Sequence, residues 1–170
     1  MEGQRIEMRH IVKVFPPDNV ALNDVSFSTG HGEIHSIIGE NGAGKSTLMK
    51  ILYGLESAGE GEIYLDGEKR SISSPKDAVA YGIGMVHQEF MLIGEYSVIE
   101  NIVLGNEPVG FGGIIQIEKA RGKLEAIIEK FQFDINLDEK VNNISIAAQQ
   151  KVEIIKLLYR DPLPDTTPMP

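Results

Sequence analysis

The sequence has no cysteine, no long apolar run and an excess of acidic over basic residues. Without cysteine the chain can form neither disulfide bonds nor thiolate metal sites, a composition compatible with a reducing compartment. No uninterrupted apolar stretch approaches the roughly 20 residues of a membrane-spanning helix, and residues 1–10 are charged and lack the apolar core of a signal peptide. We therefore expect a cytoplasmic chain that reaches a membrane only through a partner.

The shortage of basic residues also limits the class of partner. Lysine and arginine number 16 against 25 aspartate and glutamate residues, which gives a formal net charge of −9 and an isoelectric point near 4.9. A general basic surface for nucleic acid is therefore excluded, although a local basic pocket is not. With 42% hydrophobic residues, a chain of 170 residues can form one domain with a buried core, or a domain that lacks a piece.

The clearest motif lies at residues 39–47, which read Gly-Glu-Asn-Gly-Ala-Gly-Lys-Ser-Thr and fit the phosphate-binding pattern G-x-x-x-x-G-K-[ST]. The preceding residues 33–38 predict a short apolar strand, and residues 46–53 carry Leu48, Ile51 and Leu52 at helical spacing. The loop therefore joins a strand to a helix, as a phosphate-binding loop does. The alternative is a glycine-rich turn before an ordinary helix.

The residue types in this loop suit the binding of a nucleotide. Glycines let the backbone wrap closely around a phosphate, and the helix N-terminus adds the positive end of its dipole. Lys45 supplies a charge for the outer phosphates, and Ser46 offers a hydroxyl to Mg²⁺. We therefore expect ATP and Mg²⁺ as cofactors. The predicted binding residues of the loop are Gly39, Asn41, Gly42, Ala43, Gly44, Lys45, Ser46 and Thr47.

The rest of the sequence predicts a first part rich in strands and a second part rich in helices. Strands are expected at residues 6–8, 11–15, 22–27, 62–65 and 83–86, with a tight hairpin turn at Asp66-Gly67. Helices are expected at residues 75–80, 96–106, 116–131 and 145–160. The predicted domains are a nucleotide-binding core portion with an antiparallel β subdomain (1–89), a helical subdomain (90–160) and a proline-rich, disordered tail (161–170).

Several further motifs stand in one order along the chain. They are Gly32-Glu33-Ile34-His35, the loop at residues 39–47, Gly54-Leu55, Gly82-Ile83-Gly84-Met85-Val86-His87-Gln88, Glu100-Asn101-Ile102, and Ser145 followed by Gln149-Gln150-Lys151-Val152-Glu153-Ile154. With these motifs the chain resembles the ATP-binding subunit of an ABC transporter, from about residue 5 to about residue 160. Within that superfamily it looks most like the ATPases of bacterial importers for simple sugars and nucleosides. The phosphate loop is shared with many ATPases, whereas the motifs around Gln88 and Gln149 are more restrictive.

The resemblance implies roles for residues outside the loop. Phe15 matches the aromatic side chain that stacks on adenine, with an ordinary core residue at a strand end as the alternative. Gln88 matches the catalytic-site glutamine that senses the γ-phosphate and reaches Mg²⁺ or the attacking water, with a plain strand-ending glutamine as the alternative. Ser145 matches the serine that serves the site of a partner subunit. Residues 89–92 match the region that contacts the permease, and internal helix packing is equally compatible with them.

The fold implied by the resemblance is an α/β P-loop NTPase with an antiparallel β subdomain and a helical subdomain. The implied function is ATP-driven uptake of a simple sugar or nucleoside, with ATP held between two such domains. The implied partners are ABC permease subunits, a second ATP-binding domain and, indirectly, a solute-binding protein. The chain would then lie on the inner face of the cell membrane, attached through the permease.

The sequence departs from the family pattern at two places. Ala147 stands where the family has a glycine two residues after the serine, and this methyl group should weaken the contact across a dimer. The family continues into an apolar strand that ends in an aspartate and a glutamate, but this chain reads Asp161-Pro162-Leu163-Pro164-Asp165, and it has no histidine after His87. We therefore expect the C-terminal part of the core sheet to be missing and ATP binding to exceed hydrolysis.

Two other interpretations remain open at this point. The first is a truncated nucleotide-binding remnant without ATPase activity. The second is a soluble, nucleotide-dependent interaction protein whose helical part docks a partner other than a permease.

Overall fold

The structure is a computed structural model that describes residues 4–87, 90–110 and 115–160. The backbone forms two units, of which the first ends at Gly84 and the second begins at Met85. The division into domains at residues 89 and 90 stays a prediction, and the predicted tail at residues 161–170 lies outside the described residues.

The first unit contains a four-stranded antiparallel sheet and two short helices. In chain order its elements are β1 (Gln4–Phe15), β2 (Asn19–Gly30), α1 (Lys45–Leu52), β3 (Glu60–Leu65), β4 (Glu68–Arg70) and α2 (Pro75–Ala80). The strand order in the sheet is β2-β1-β3-β4. Met8 of β1 is paired with Phe27 on one side and with Ile63 on the other, so that β1 is an interior strand.

The core of the first unit joins this sheet to α1. Its buried side chains are Met8, Ile11, Leu22, Leu48, Ile51, Leu52, Ile63, Leu65, Ile72 and Ala78. Helix α1 contributes Leu48, Ile51 and Leu52, whose spacing of three and four residues places them on one face of the helix. The predicted helical spacing after the phosphate loop is therefore confirmed. Packing of this face on the sheet fixes the helix to which the loop leads.

Strand β1 unites the two strands that were predicted at residues 6–8 and 11–15. A bulge lies between them, where His10 has φ 52° and the pairing register with β2 shifts between Met8 and Ile11. The bulge is held from the neighbouring strand, since the backbone N–H of His10 donates to Ser26 Oγ at 3.1 Å and His10 Nδ1 lies 2.6 Å from Asp24 Oδ1. A bulge of this kind bends a strand without ending it.

The hairpin between β3 and β4 turns where the sequence predicts it. Asp66 and Gly67 have φ values of 50° and 80°, and Leu65 is paired with Glu68 across the turn. A two-residue turn with positive φ at both positions matches the twist of the flanking strands, and an Asp-Gly pair tolerates that backbone best. The predicted hairpin turn is therefore confirmed.

Two other predicted strands are wrong. Residues 33–38 and 83–86 have no regular secondary structure, and the side chains of Ile34 and Ile38 are 98% and 92% exposed. An apolar strand that is buried on both faces is stable only when neighbouring strands satisfy its backbone groups. Among the described residues no strand pairs with either segment. The apolar pattern of the two segments is therefore typical of a buried strand, but the strands with which they would pair are not found among the described residues.

The second unit is helical. Its elements are α3 (Val98–Val103), α4 (Ile117–Phe131), a short 3-10 helix (Val141–Asn143) and α5 (Ile146–Arg160). The helices predicted at residues 96–106, 116–131 and 145–160 are confirmed, although α3 is shorter because Leu104 has an extended backbone. The fully buried side chains at the centre of this core are Val98, Ile102, Leu124, Val152 and Ile155. Within the described ranges, no helix is both long enough and apolar enough to span a lipid bilayer.

Candidate nucleotide-binding site

The phosphate loop depends on the absence of a side chain at Gly44. This residue precedes α1 with φ +84°, and a Cβ atom there would lie 2.4 Å from the carbonyl oxygen of Ala21 and 2.7 Å from Cδ2 of Leu22. Both the backbone angle and the close approach to β2 therefore require glycine. Gly42 has φ +86° with open space around it, so its requirement concerns the backbone angle alone. The loop thus turns tightly against the sheet.

Lys45 lies across the loop that precedes it. Its Nζ donates to the carbonyl oxygens of Gly39 and Glu40 at 2.7 and 2.8 Å. The N–H of Ala43 donates to the same Glu40 oxygen at 3.2 Å, which closes a turn in the loop. The ammonium group is therefore held at the opening of the loop by two neutral acceptors. Phosphate oxygens bind an ammonium more strongly than carbonyl oxygens do, because the bond then joins two charged groups.

The N-terminus of α1 presents positive potential at the same place. The first turn of the helix contains no acidic residue, and no side chain caps Gly44. The unpaired N–H groups and the positive end of the helix dipole are therefore available to an anion. The Ser46 side chain is exposed and Thr47 is half-buried at this end of the helix, while Asn41 is exposed in the loop. Together these groups suit the phosphates of a nucleotide.

The residues at the start of α1 can supply Mg²⁺ with a small part of the oxygen ligands that it needs. Mg²⁺ in nucleotide sites is commonly held by one or two protein oxygens together with the phosphates of the substrate. Ser46 offers such an oxygen at the start of α1. Across the described ranges, no group of three or more His, Cys, Asp or Glu side chains is placed to hold a metal ion. A metal at this site would therefore depend on the nucleotide for most of its ligands.

Glu33 holds the chain that leads into the loop. Its carboxylate accepts from the N–H of Gly30 at 2.6 Å and lies 2.7 Å from Nε2 of His35. The hydrogen bond from Gly30, and secondly the bond with His35, lower the pKa of Glu33 below its ordinary value. The ring of His35 also contacts Phe27 edge-on, with 5.9 Å between the ring centroids. His35 is therefore engaged in structural contacts beside the loop.

Phe15 lies at the end of the sheet to which the loop is attached. It is half-buried, it is paired with Asn19 at the β1–β2 turn, and Lys13 Nζ is 4.9 Å from its ring centroid. Leu22, which Gly44 approaches, is paired with Lys13, only two residues before Phe15. Phe15 is not among the side chains that form the core of the first unit. The stacking of Phe15 on adenine stays a prediction, and its position near the loop supports it.

The remaining predicted site residues, Gln88 and Ser145, lie outside the first unit. Gln88 lies outside the described residues, so its roles toward the γ-phosphate and Mg²⁺ stay predictions. Ser145 belongs to the second unit, where its Oγ accepts from the N–H of Ala148 at 3.2 Å and caps α5. Ser145 and Ala147 are exposed, and the side chain of Ile146 is 69% exposed. This helix start is accessible to a partner, and its predicted role stays a prediction.

Two buried polar residues received no role from the sequence. Asn101 is fully buried on α3, where its Oδ1 accepts from the N–H of Ile93 at 2.7 Å and its Nδ2 donates to the carbonyl oxygen of Ile93 at 2.9 Å. Glu153 is buried on α5, and its Oε1 accepts from the N–H of Met91 at 3.1 Å. The available signal was a polar residue inside an apolar helix stripe, which calls for a buried partner.

Comparison with known proteins gives relatives over almost the whole chain. The chain is 46% identical over 155 residues to the guanosine import ATP-binding protein NupO of Bacillus subtilis (strain 168), a match that covers 91% of this chain and 30% of that protein. It is 43% identical over 156 residues to the ribose import ATP-binding protein RbsA 2 of Escherichia coli O157:H7, covering 92% of this chain and 30% of that protein. The chain therefore spans about 30% of the length of these curated relatives.

Solved structures show the same fold. A nucleotide-free ATP-binding cassette from an ABC transporter superposes with a TM-score of 0.78 at 28% identity, over 92% of this chain and 65% of that chain. An ATP-binding cassette of an ABC transporter in its ADP conformation superposes with a TM-score of 0.75 at 27% identity, over 92% and 65% of the two chains. The predicted fold class, an α/β P-loop NTPase with an antiparallel β part, is confirmed. The family model described as ABC transporter matches residues 22–163, and the chain therefore belongs to the ABC transporter family of ATP-binding domains.

Proposed function

We propose that this chain is the ATP-binding part of an ABC importer subunit that couples ATP to the uptake of a simple sugar or a nucleoside. The observation that carries the proposal is the position of Lys45, whose ammonium spans the carbonyl oxygens of Gly39 and Glu40 at the N-terminus of α1. The relatives named for guanosine and ribose import support the class of solute.

The roles within the site follow from the chemistry of the loop. The backbone at Gly42 and Gly44 and the N-terminus of α1 surround the phosphates, and Lys45 exchanges its two carbonyl contacts for phosphate oxygens. Ser46 contributes a hydroxyl to Mg²⁺, which neutralises phosphate charge when it is bound. Phe15 covers one face of the adenine.

The partners are proposed from the family. A second ATP-binding domain completes the ATP site with the Ser145 end of its α5, and permease subunits bind the helical unit. A solute-binding protein then acts through the permease, and the chain lies at the inner face of the cell membrane.

Solute uptake by cells of the source organism tests the proposal. Cells carrying Lys45→Ala in the chromosomal gene are compared with wild-type cells for the uptake of labelled guanosine, ribose and xylose. The matched control is Lys50→Ala, which removes an exposed lysine near the other end of the same helix. We expect Lys45→Ala to abolish the uptake of at least one solute and Lys50→Ala to have no effect. Unchanged uptake of every sugar and nucleoside tested in Lys45→Ala cells would refute the proposed function.

A further inference from the structure

Glu153 is a carboxylate in an otherwise apolar part of the second unit. Its side chain is 7% exposed, and its neighbours on α5, Val152 and Ile155, are fully buried in the core. Taking a carboxylate out of water is costly unless hydrogen bonds compensate for the lost hydration. An apolar residue would serve the packing of α5 better. A role other than core packing is therefore required to explain this residue.

The contact of Glu153 is made with the backbone of a segment that has no regular secondary structure. Oε1 accepts from the N–H of Met91 at 3.1 Å, whereas the side chain of Met91 is 66% exposed. The carboxylate therefore fixes where the chain lies and leaves the Met91 side chain free to meet another molecule. Lys156 lies one turn further along α5. Burial lowers the pKa of Lys156, and the nearby charge of Glu153 opposes this shift.

Asn101 holds the next part of the same segment from a different helix. It bonds both backbone groups of Ile93, and its Nδ2 also donates to the carbonyl oxygens of Tyr96 and Ser97 at 3.4 and 3.0 Å. The side chains of Ile93 and Tyr96 are 40% and 41% exposed. Two buried polar side chains thus hold the backbone at Met91, Ile93, Tyr96 and Ser97. The side chains of Met91, Ile93 and Tyr96 are exposed, whereas Leu92 packs against the core.

Helix α5 connects this contact to the exposed serine at its start. Glu153 follows Ser145 by eight residues, which is about 12 Å along a helix. Between them, Nε2 of Gln149 donates to the carbonyl oxygens of Val141 and Ile144 at 3.3 and 3.4 Å and fixes the chain that enters α5. Helix α5 therefore carries two polar side chains, Gln149 and Glu153, that each fix the backbone of a neighbouring segment in the second unit.

We propose that Glu153 is a positioning residue, which fixes the backbone of Met91 on α5 so that the exposed Met91 side chain is presented in one arrangement to a protein partner. Asn101 fixes the backbone of Ile93 and Tyr96 in the same segment. The proposal rests on the proposed function for the identity of that partner, a permease subunit. The restraint on Met91 rests on the contacts within the second unit alone. Glu153 acts through the backbone N–H of Met91.

Amide hydrogen exchange in the full 170-residue chain tests the restraint. Glu153→Gln keeps an oxygen that can accept from the Met91 N–H, while Glu153→Leu fills the space without an acceptor. We expect the Met91 amide to exchange about tenfold to a hundredfold faster in Glu153→Leu, the factor that corresponds to a lost hydrogen bond to a charged group. The Glu153→Gln variant should restore slow exchange. The Ile93 amide, which Asn101 holds, is the internal reference, and Glu125→Leu at an exposed position of α4 is the matched control.

Thermal unfolding of the same variants separates positioning from a purely structural role. Glu153→Leu removes the buried charge and also leaves the Met91 N–H to water, so we expect the melting temperature of Glu153→Leu to stay close to that of the wild type. An unchanged exchange rate at Met91 in Glu153→Leu would contradict the proposal. A lowered melting temperature or failure of that variant to fold would also contradict it, because Glu153 would then be needed for the fold itself.

The uptake assay and ATP titration link the restraint to function. We expect Glu153→Leu to lower solute uptake about tenfold or more while the Kd for Mg-ATP stays within about twofold of the wild-type value, because loss of one such contact affects the partner surface and not the phosphate loop. Glu153→Gln should retain uptake. Normal uptake in Glu153→Leu would refute the role toward the partner. If Lys45→Ala itself leaves uptake unchanged, the proposed function fails, and the exchange experiment still decides the role of Glu153.

Discussion

Gly44 is the residue at which the geometry of the phosphate loop is most tightly constrained. It combines a left-handed backbone angle with a contact to β2 so close that a methyl group would overlap the carbonyl oxygen of Ala21. The backbone oxygen cannot move away as a flexible side chain could. The position of the loop over the sheet, and hence the direction in which Lys45 points, depends on this one missing Cβ.

Gly44→Ala should therefore lower both stability and nucleotide affinity. Overpacking against backbone and a positive φ together should reduce the free energy of unfolding by about 2–3 kcal/mol. Chemical denaturation and calorimetric titration with Mg-ATP measure the two effects. Gly122→Ala on α4 is the control, since a Cβ there meets no atom within 4 Å and alanine favours a helix. Equal stability of Gly44→Ala and wild type would contradict the geometry of the loop.

At this scale, the sequence predicted the site residues that act through a local motif. The order of glycines, lysine and serine was sufficient to predict the loop, because phosphate binding there uses neighbouring residues and the backbone itself. The local sequence was not sufficient to predict the contact of Glu153, because its partner Met91 is 62 residues away along the chain. Such a contact follows from how α5 packs on the segment, and a single sequence carries no direct signal for it.

Among the elements, α3 shows how a short helix is fixed by its first turn. Ser97 Oγ accepts from the N–H of Glu100, and the Glu100 carboxylate accepts from the N–H and the hydroxyl of Ser97, both at 2.7 Å. These reciprocal bonds form a capping box, which satisfies donors that the helix itself cannot. The bonds from the Ser97 backbone and hydroxyl lower the pKa of Glu100 below its ordinary value of 4.5.

Loss of this capping box should destabilise the second unit in a pH-dependent way. Ser97→Ala should lower the free energy of unfolding by about 1 kcal/mol near neutral pH, as other N-cap substitutions do. Because the folded-state pKa of Glu100 is lowered, its contribution is present above the unfolded-state value and is lost as the pH falls through the folded-state value. The difference between wild type and Glu100→Gln in urea unfolding should therefore shrink in acid. A constant difference from neutral to strongly acidic pH would contradict this explanation.

Helices were predicted more accurately than strands, and the reason is physical. The apolar stripes of α4 and α5 each lie within one helix, so local sequence predicts them. Residues 33–38 have an equally clear apolar pattern, yet they form no strand. A strand's backbone groups are satisfied by other segments, and no such partner strand is found among the described residues.

At the scale of the whole molecule, the first unit exposes apolar surface beside its phosphate loop. Ile34 and Ile38 are almost fully exposed, and their segment is not paired with a strand of the described sheet. Exposed apolar segments with available backbone groups favour association between chains. The net charge of −9 opposes association at long range but does not cover this local surface.

Charged side chains at these two positions should reduce self-association. The double variant Ile34→Lys/Ile38→Lys is expected to show less concentration-dependent association than the wild type in sedimentation velocity at physiological salt. The control is Val109→Lys in the second unit, where an apolar side chain that is 65% exposed is replaced in the same way. Equal association of the double variant and the wild type would show that residues 33–38 do not mediate it.

Calorimetric titration of Mg-ATP onto wild type, Lys45→Ala and Lys50→Ala tests most directly whether the phosphate loop binds ATP. Loss of a charge-assisted contact to phosphate corresponds to about a tenfold to hundredfold weaker Kd. We expect Lys45→Ala to bind at least tenfold more weakly than wild type, by the same estimate, with Lys50→Ala unchanged. Full ATP affinity in a folded Lys45→Ala variant would contradict the assignment of the site.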